Sequence, residues 1–180
     1  MTLTITDEMM IIKITDGYVK DGELDKEALV KLGSDVVEIE GDKIIFKKDV
    51  EFWRCDSLTS LEGVTFNGCV DFFRCDSLAS LDGVTFNDDV YFYECYSLTS
   101  VSGAIFNSEV QFWYCESLTS VSGSTFKKRV LFYECNFLTS VSGAVFNGAV
   151  EFFYCDSLTS VDGATFKKGF KAKHCPNLKQ

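Results

Sequence analysis

The amino-acid sequence predicts a β-rich solenoid with a small α+β cap at its N-terminal end, and three observations lead there. A 20-residue pattern, V-x-F-Ω-x-C-x-S-L-T-S-[LV]-x-G-x-x-F-x-x-x with Ω aromatic, recurs six times from Val50 to Gly169 without an insertion. Each unit opens with residues that alternate in polarity at period two, as a half-buried strand does. Each also keeps one glycine at a fixed place, where a tight turn needs a permissive backbone. A seventh, partial copy runs from Phe170 to the end. The expected division is a cap over residues 1–35 and a solenoid over residues 36–180, with six full units over 50–169 and a partial terminal coil over 170–180.

Residues 1–49 are a different kind of sequence. Thr2 to Ile14 alternates weakly and ends in the turn Thr15-Asp16-Gly17. Asp25 to Leu32 reads as one short helix, with Asp25 as N-cap and Gly33 as C-cap. Val36 to Ile39 and Lys43 to Phe46 read as strands around Gly41-Asp42, and Phe46-Lys47-Lys48-Asp49 has the form of a unit's closing segment. The solenoid is therefore expected to begin near Val36. A stack needs a cap, because a bare terminal coil exposes unpaired backbone and apolar surface.

Within a unit, Val70-Asp71-Phe72-Phe73-Arg74 reads as a strand, with Val70 and Phe72 inward and Asp71 and Phe73 outward. Cys75, Leu78 and Leu81 follow inside, Gly83 turns the chain, Phe86 closes the core, and Asn87-Asp88-Asp89 leads to the next strand. Twenty residues leave no room for a full return helix, so each coil is expected to be strand and irregular turn.

These residues carry a resemblance. V-x-F-x-x-C-x-S-L-T-S-L looks like the L-x-L-x-x-[NC]-x-x-L core of leucine-rich repeats. Leu58-Thr59-Ser60-Leu61-Glu62-Gly63 is similar to the short bacterial and phage repeats written L-T-S-L-x-G, and Cys55 through Cys69 is similar to the BspA-like class. The likeness covers residues 50–178. It departs in placing Cys and Phe where many members have Asn and Leu, and in the shortness of the unit. It implies a leucine-rich-repeat-like solenoid with a parallel sheet on one face, partner binding through that sheet, and no catalytic residue.

Composition narrows the function. Net charge is −10, and beyond Arg74 the basic residues gather in Lys127-Lys128-Arg129, Lys167-Lys168 and the last eleven positions. No basic stripe lines one face, which argues against nucleic acid and anionic membrane. Met1 to Ile14 has Asp7 and Glu8 ahead of a short apolar run, unlike a secretory signal, so a cytoplasmic location is expected. No segment has the roughly 18 consecutive apolar residues of a membrane helix.

Seven cysteines (Cys55, Cys75, Cys95, Cys115, Cys135, Cys155, Cys175) fall one per unit and in register. Stacked coils hold such side chains parallel and about 4.8 Å apart. A disulfide wants Cβ atoms nearer ~3.8 Å and facing vectors, so free thiols acting as small hydrophobes are expected. Zinc is not expected, because there is no C-x-x-C pair and one histidine, His174. That single histidine also leaves little material for a catalytic triad, and no phosphate-binding glycine motif occurs. No cofactor is expected. The serine column from Ser60 to Ser160, beside the Thr59 column, offers two readings: an ice- or mineral-binding face, or hydroxyls satisfying backbone groups at a bend. Leu61 interrupts the paired hydroxyl columns of the former, which favours the latter.

The outward aromatic column is the candidate site: Trp53, Phe73, Tyr93, Trp113, Tyr133 and Phe153, joined by Tyr91, Tyr114 and Tyr154 on its flanks. Arg54, Arg74, Glu94, Glu134 and Glu51, Asp71, Gln111, Leu131, Glu151 vary around it. Stacked rings stabilise a parallel sheet. A contiguous exposed apolar patch rimmed by charge marks an interaction site. The expectation is a non-catalytic scaffold that binds a protein partner through this stripe. Alternatives are a self-assembling solenoid, as dimer or filament, and a carbohydrate-binding module.

Overall fold

The structure is a computed structural model that describes residues 11–179; the alternation expected over residues 2–10 lies outside the described residues. The chain is a β-solenoid of 20-residue coils. Each coil contributes one strand to each of two eight-stranded sheets. The first sheet runs Ile12–Ile14, Val50–Trp53, Val70–Phe73, Val90–Tyr93, Val110–Trp113, Val130–Tyr133, Val150–Phe153 and Phe170–Lys173. All its pairings are parallel and in register, so Val90 faces Val70 and Val110, and Phe92 faces Phe72 and Phe112.

The resemblance implies a sheet on one face; the coil carries two, and a third line of pairing besides. The second sheet is built from Lys43–Phe46, Val64–Phe66 and the two-residue strands Thr85–Phe86, Ile105–Phe106, Thr125–Phe126, Val145–Phe146 and Thr165–Phe166. The third line is a ladder of single bridges from Ser60 through Ser160. Bends at the glycine column separate these edges. Gly63, Gly83, Gly103, Gly123, Gly143 and Gly163 hold φ between 68° and 77°, the left-handed region that glycine enters without steric penalty.

The interior follows the period-two pattern. Val50, Phe52, Cys55, Leu58, Leu61, Val64 and Phe66 and their equivalents through Leu158 are buried, in a single continuous core. Two phenylalanine columns dominate it. Phe52, Phe72, Phe92, Phe112, Phe132 and Phe152 stack at 4.8–5.2 Å between ring centroids. Phe46 through Phe166 form the other column, also near 5 Å per step. The columns meet edge to face, as at Phe72 and Phe86, 6.3 Å apart and 87° inclined. Burying each ring contributes about 1.5–3 kcal/mol, and each ring pair about 0.5–1.5 kcal/mol more.

The N-terminal segment belongs to the stack more than a separate cap would. Ile12–Ile14 pairs parallel with Val50–Phe52, and Ile44–Phe46 with Val64–Phe66. Gly22 O accepts from Thr59 N (2.8 Å) and Thr59 Oγ1 (3.0 Å), the bonds made to the previous coil further along. Residues 12–46 thus complete one enlarged circuit, with a helix inserted between its second and third edges. The helix spans Lys26–Leu29, capped by the Asp25 carboxylate on Glu27 N and Ala28 N, and passes into a 3-10 turn over Val30–Leu32 that ends at Gly33 (φ 95°). Val37–Glu40 closes the second sheet as an antiparallel strand on Lys43–Phe46.

Side chains in register also solve the polar accounts of each coil. Ser60, Ser80, Ser100, Ser120, Ser140 and Ser160 accept from the amide two residues on at 2.9–3.1 Å. Thr99 and Thr119 donate to the carbonyls of Ala79 and Thr99. These hydroxyls serve backbone groups, as the bend requires. Asn107 donates to Asn87 and Asn87 to Asn67, until Lys127 interrupts the ladder and leaves Asn107 Oδ1 buried without a donor.

The cysteines are free thiols, and Cys55 to Cys155 of the ladder are buried. Except at Cys115, which meets Trp113 O of its own coil, these sulfurs donate to carbonyls of the preceding coil, Cys55 to Ile14 O at 3.3 Å and Cys75 to Phe52 O at 3.5 Å. Burial pushes the thiols of Cys95, Cys115 and Cys135 well up, and that of Cys155 to about 12. Cys69, in a turn, is pushed up to about 11, first by burial and then by Asp88, Asp89 and Asp49. Cys175 lies partly exposed in the last coil. In a native thiol-labelling experiment read by intact mass, Cys175 is expected to react first. Cys69 should follow, about tenfold faster per pH unit below pH 11, as its thiolate forms. The six buried thiols should react only on unfolding; disulfide-linked native protein would contradict this account.

Candidate functional site

The outer face of the first sheet carries two columns, because alternate residues of each strand point away from the core. One column is Lys13, Glu51, Asp71, Tyr91, Gln111, Leu131, Glu151 and Lys171; the other is Trp53, Phe73, Tyr93, Trp113, Tyr133, Phe153 and Lys173. A third column follows at the strand ends. Arg54, Arg74, Glu94, Tyr114, Glu134, Tyr154 and His174 all hold φ between 50° and 56°. Left-handed backbone costs a non-glycine residue about 1–2 kcal/mol. It turns the chain so that the next residue, the ladder cysteine, enters the core. Each of these amides up to Tyr154 donates to the next coil, from Arg54 N to Phe73 O (2.8 Å) through Tyr154 N to Lys173 O (3.1 Å). Nothing in Arg, Glu, Tyr or His announces positive φ, so sequence reasoning missed this column's backbone.

All nine aromatic residues expected at the site lie on this one face; eight of their rings form two groups, and Phe153 stands apart from both. Trp53 and Phe73 stack at 4.4 Å, near parallel at 14°. Tyr93, Trp113 and Tyr133 form a second run, with steps of 6.5 and 4.7 Å. Tyr133 is its hub, since Tyr114 and Tyr154 each meet it edge to face at 5.6 Å. Tyr91 lies beside Tyr93 at 6.3 Å, and Tyr154 stacks on His174 at 4.6 Å. Among the described residues, no ring contact joins Phe73 to Tyr93 or Tyr133 to Phe153. Trp113 Nε1 donates to Gln111 Oε1 (2.9 Å), which ties the two columns together. The rings remain accessible while resting on one another: Trp53 is 40 % exposed, and Phe73, Tyr93, Trp113, Tyr133 and Phe153 are half-buried. Phe137, 60 % exposed at the turn after Cys135, stands where most units have serine. That break in the repeat was a signal available in the sequence.

Charge on the face is unevenly matched. Arg74 pairs with Glu94 at 3.1 Å, and Arg129 with Glu109 at 3.6 Å and with Glu151. Arg129 holds the Glu151 carboxyl below its ordinary value, and the guanidinium is itself held up. Asp71 has no hydrogen-bond or ion-pair partner among the described residues. Burial, then Glu51 and Asp49, push its carboxyl above the ordinary value. Tyr91 is pushed up to about 12 by burial and Asp89, and Tyr93 rises by burial and Asp71, so both phenols stay neutral and can donate. Away from this face, a cleft of about 400 Å³ lies between the N-terminal circuit and the first full unit, lined by Glu23, Leu24, Lys26, Asp42, Lys43, Ile44 and residues 60–64. Lys26 spans part of it, bonded to Gly41 O and Asp42.

No protein-family model, no curated protein and no solved structure matches the chain.

The Asp71 carboxyl has a measurable consequence. A group whose folded pKa is raised stabilises the fold below its unfolded pKa and loses that contribution as pH rises through the folded pKa. At neutral pH the charged Asp71 therefore opposes folding. Asp71→Asn is expected to raise the melting temperature at pH 7 and to lose that advantage near pH 3. An equal effect at both pH values would contradict it.

Proposed function

We propose that the chain is a non-catalytic scaffold that binds a protein partner through the aromatic face of the first sheet. One observation carries this: the core is complete without these rings, yet six successive coils place an aromatic residue at the outward position beside it. A threonine or valine would serve strand formation there with less exposed apolar surface. Aromatic residues near the centre of a patch supply most of the binding energy at protein interfaces. Tyr133, with Trp113, Tyr114 and Tyr154 around it, is such a centre.

The ring geometry weighs against a sugar platform. Sugars stack on ring faces, whereas Trp53 and Phe73, or Trp113 and Tyr133, turn faces to each other and offer edges outward. Self-assembly has one observation in its favour. The last coil leaves Phe170 39 % exposed, and Phe166, Ala172 and Leu178 only partly covered. Mass photometry at two concentrations tests that reading. A reducing compartment is inferred from the free thiols. The absence of catalysis is inferred from the lone His174, which lies on Tyr154 at the end of the stack. Kinship with short bacterial leucine-rich repeats rests on the C-x-S-L-T-S-L run alone.

Panning a displayed random-peptide library on the immobilised protein tests the main reading. Binders of the wild type should be lost on the double variant Trp113→Thr with Tyr133→Thr. That variant should stay folded, at a cost of about 1–3 kcal/mol for the ring contacts removed. Undiminished capture by the folded double variant would overturn the proposal.

A further inference from the structure

Three positions on the aromatic face pair a carboxylate with an aromatic ring two residues on: Glu51 with Trp53, Asp71 with Phe73, and Glu151 with Phe153. Two residues apart on a strand, the side chains emerge on the same side. The chain itself places a cation at two of the three. At the first, Lys13 lies one rung away in register with Glu51; its Nζ is 3.5 Å from the Glu51 carboxylate and 4.9 Å from the centre of the Trp53 ring. At the third, Arg129 and Lys171 both reach Glu151, Lys171 from the adjoining rung at 3.7 Å. The middle pair has no such supply. Its neighbours in the column are Glu51 on one side and Tyr91 on the other, and the nearby Arg74 is engaged with Glu94. The remaining rungs carry Tyr91, Gln111 and Leu131 in place of a carboxylate, so the arrangement is confined to these three positions.

The surroundings of Asp71 suit a cation from outside. Phe73 leans on Trp53, and the aromatic run resumes at Tyr93, which leaves the interval between Phe73 and Tyr93 bridged by no ring contact among the described residues. Tyr91 and Tyr93, side by side at 6.3 Å, flank it. A half-buried carboxylate without a partner is unfavourable. An ammonium or guanidinium set against it and against ring surface gains Coulomb and cation–π attraction together, as Lys13 does one rung away.

We propose that Asp71, Phe73, Tyr91 and Tyr93 form a recognition site for one lysine or arginine side chain of the protein partner, with Asp71 as its counter-ion. The proposal rests on the reading of the aromatic face as a binding surface and names the chemistry of what it takes. A partner segment would lay apolar residues on the Tyr133 cluster and a cation at Asp71, three coils away. Net charge of −10 steers such a segment toward the protein.

The test uses the intact protein with ¹³C-labelled aromatic rings, titrated with N-acetyl-lysine N-methylamide and, separately, with its uncharged counterpart N-acetyl-norleucine N-methylamide. The lysine probe is expected to shift Phe73, Tyr91 and Tyr93 saturably, while the norleucine probe does not. Asp71→Asn should weaken the lysine probe about tenfold, and Asp71→Glu should retain most of it; circular dichroism establishes that both are folded. Lysine shifts no larger than those of norleucine, or indifferent to Asp71→Asn, overturn the site. Peptide capture that depends on Trp113 and Tyr133 would then leave the aromatic face standing. Loss of that capture with the Asp71 shifts intact would instead overturn the wider reading and leave a local cation site.

Discussion

Everything in this molecule follows from placing identical side chains directly above one another every 20 residues. The parallel register lets a column repeat its neighbour's rotamer, so Phe112 stacks on Phe92 and Phe132 with interplanar angles of 5° and 2°. Two such columns, crossing edge to face, fill the middle of an interior whose one buried hydroxyl among the described residues, Ser124, donates to Val101 O. The same register lets small polar groups work in series. A serine repeats one turn bond, a threonine one carbonyl bond, and a thiol one weak bond to the strand above. The left-handed residue in each coil is the strain this arrangement tolerates, because its amide is locked to the next coil and the cysteine beside it is delivered to the core.

Much of this was visible in the sequence, for a physical reason. Period-two alternation in Val70-Asp71-Phe72-Phe73 fixes which side chains enter, and a 20-residue repeat fixes what they meet. The inward columns, the free thiols, the glycine turn and the outward rings all emerge from those two facts, and the Asp25 cap from the residue type that precedes the short helix. The second sheet does not, because its strands shrink to Thr85–Phe86 and its equivalents, too short for any alternation to register. The first circuit is equally hidden. Residues 12–46 share the path of a unit but not its sequence, and the inserted helix breaks the period. Within the site, the ring positions could be read, whereas the grouping of the rings could not, since it depends on which way each side chain leans.

The division of labour between inside and outside shapes the functional reading. Inward columns are nearly uniform, as stacking demands. The outward columns vary in charge and size from rung to rung while keeping an aromatic residue at one position. Variation of that kind makes the face chemically uneven along its length, with a carboxylate between rings at Asp71 and an amide held by an indole at Gln111, while Leu131 is covered (6 % exposed). Under the proposed function, a partner lying along the sheet would meet these in order.

The central claim is that stability is passed from coil to coil through the phenylalanine columns. Its most direct measurement is the unfolding free energy of Phe112→Ala against Phe166→Ala. Phe112 is enclosed between two coils, whereas Phe166 lies in the last strand of its sheet and is only partly covered. Loss of a fully enclosed ring should cost about 3–5 kcal/mol, and loss of the terminal one about 1–2 kcal/mol. Equal costs at the two positions would contradict a stack in which each coil is held by its neighbours.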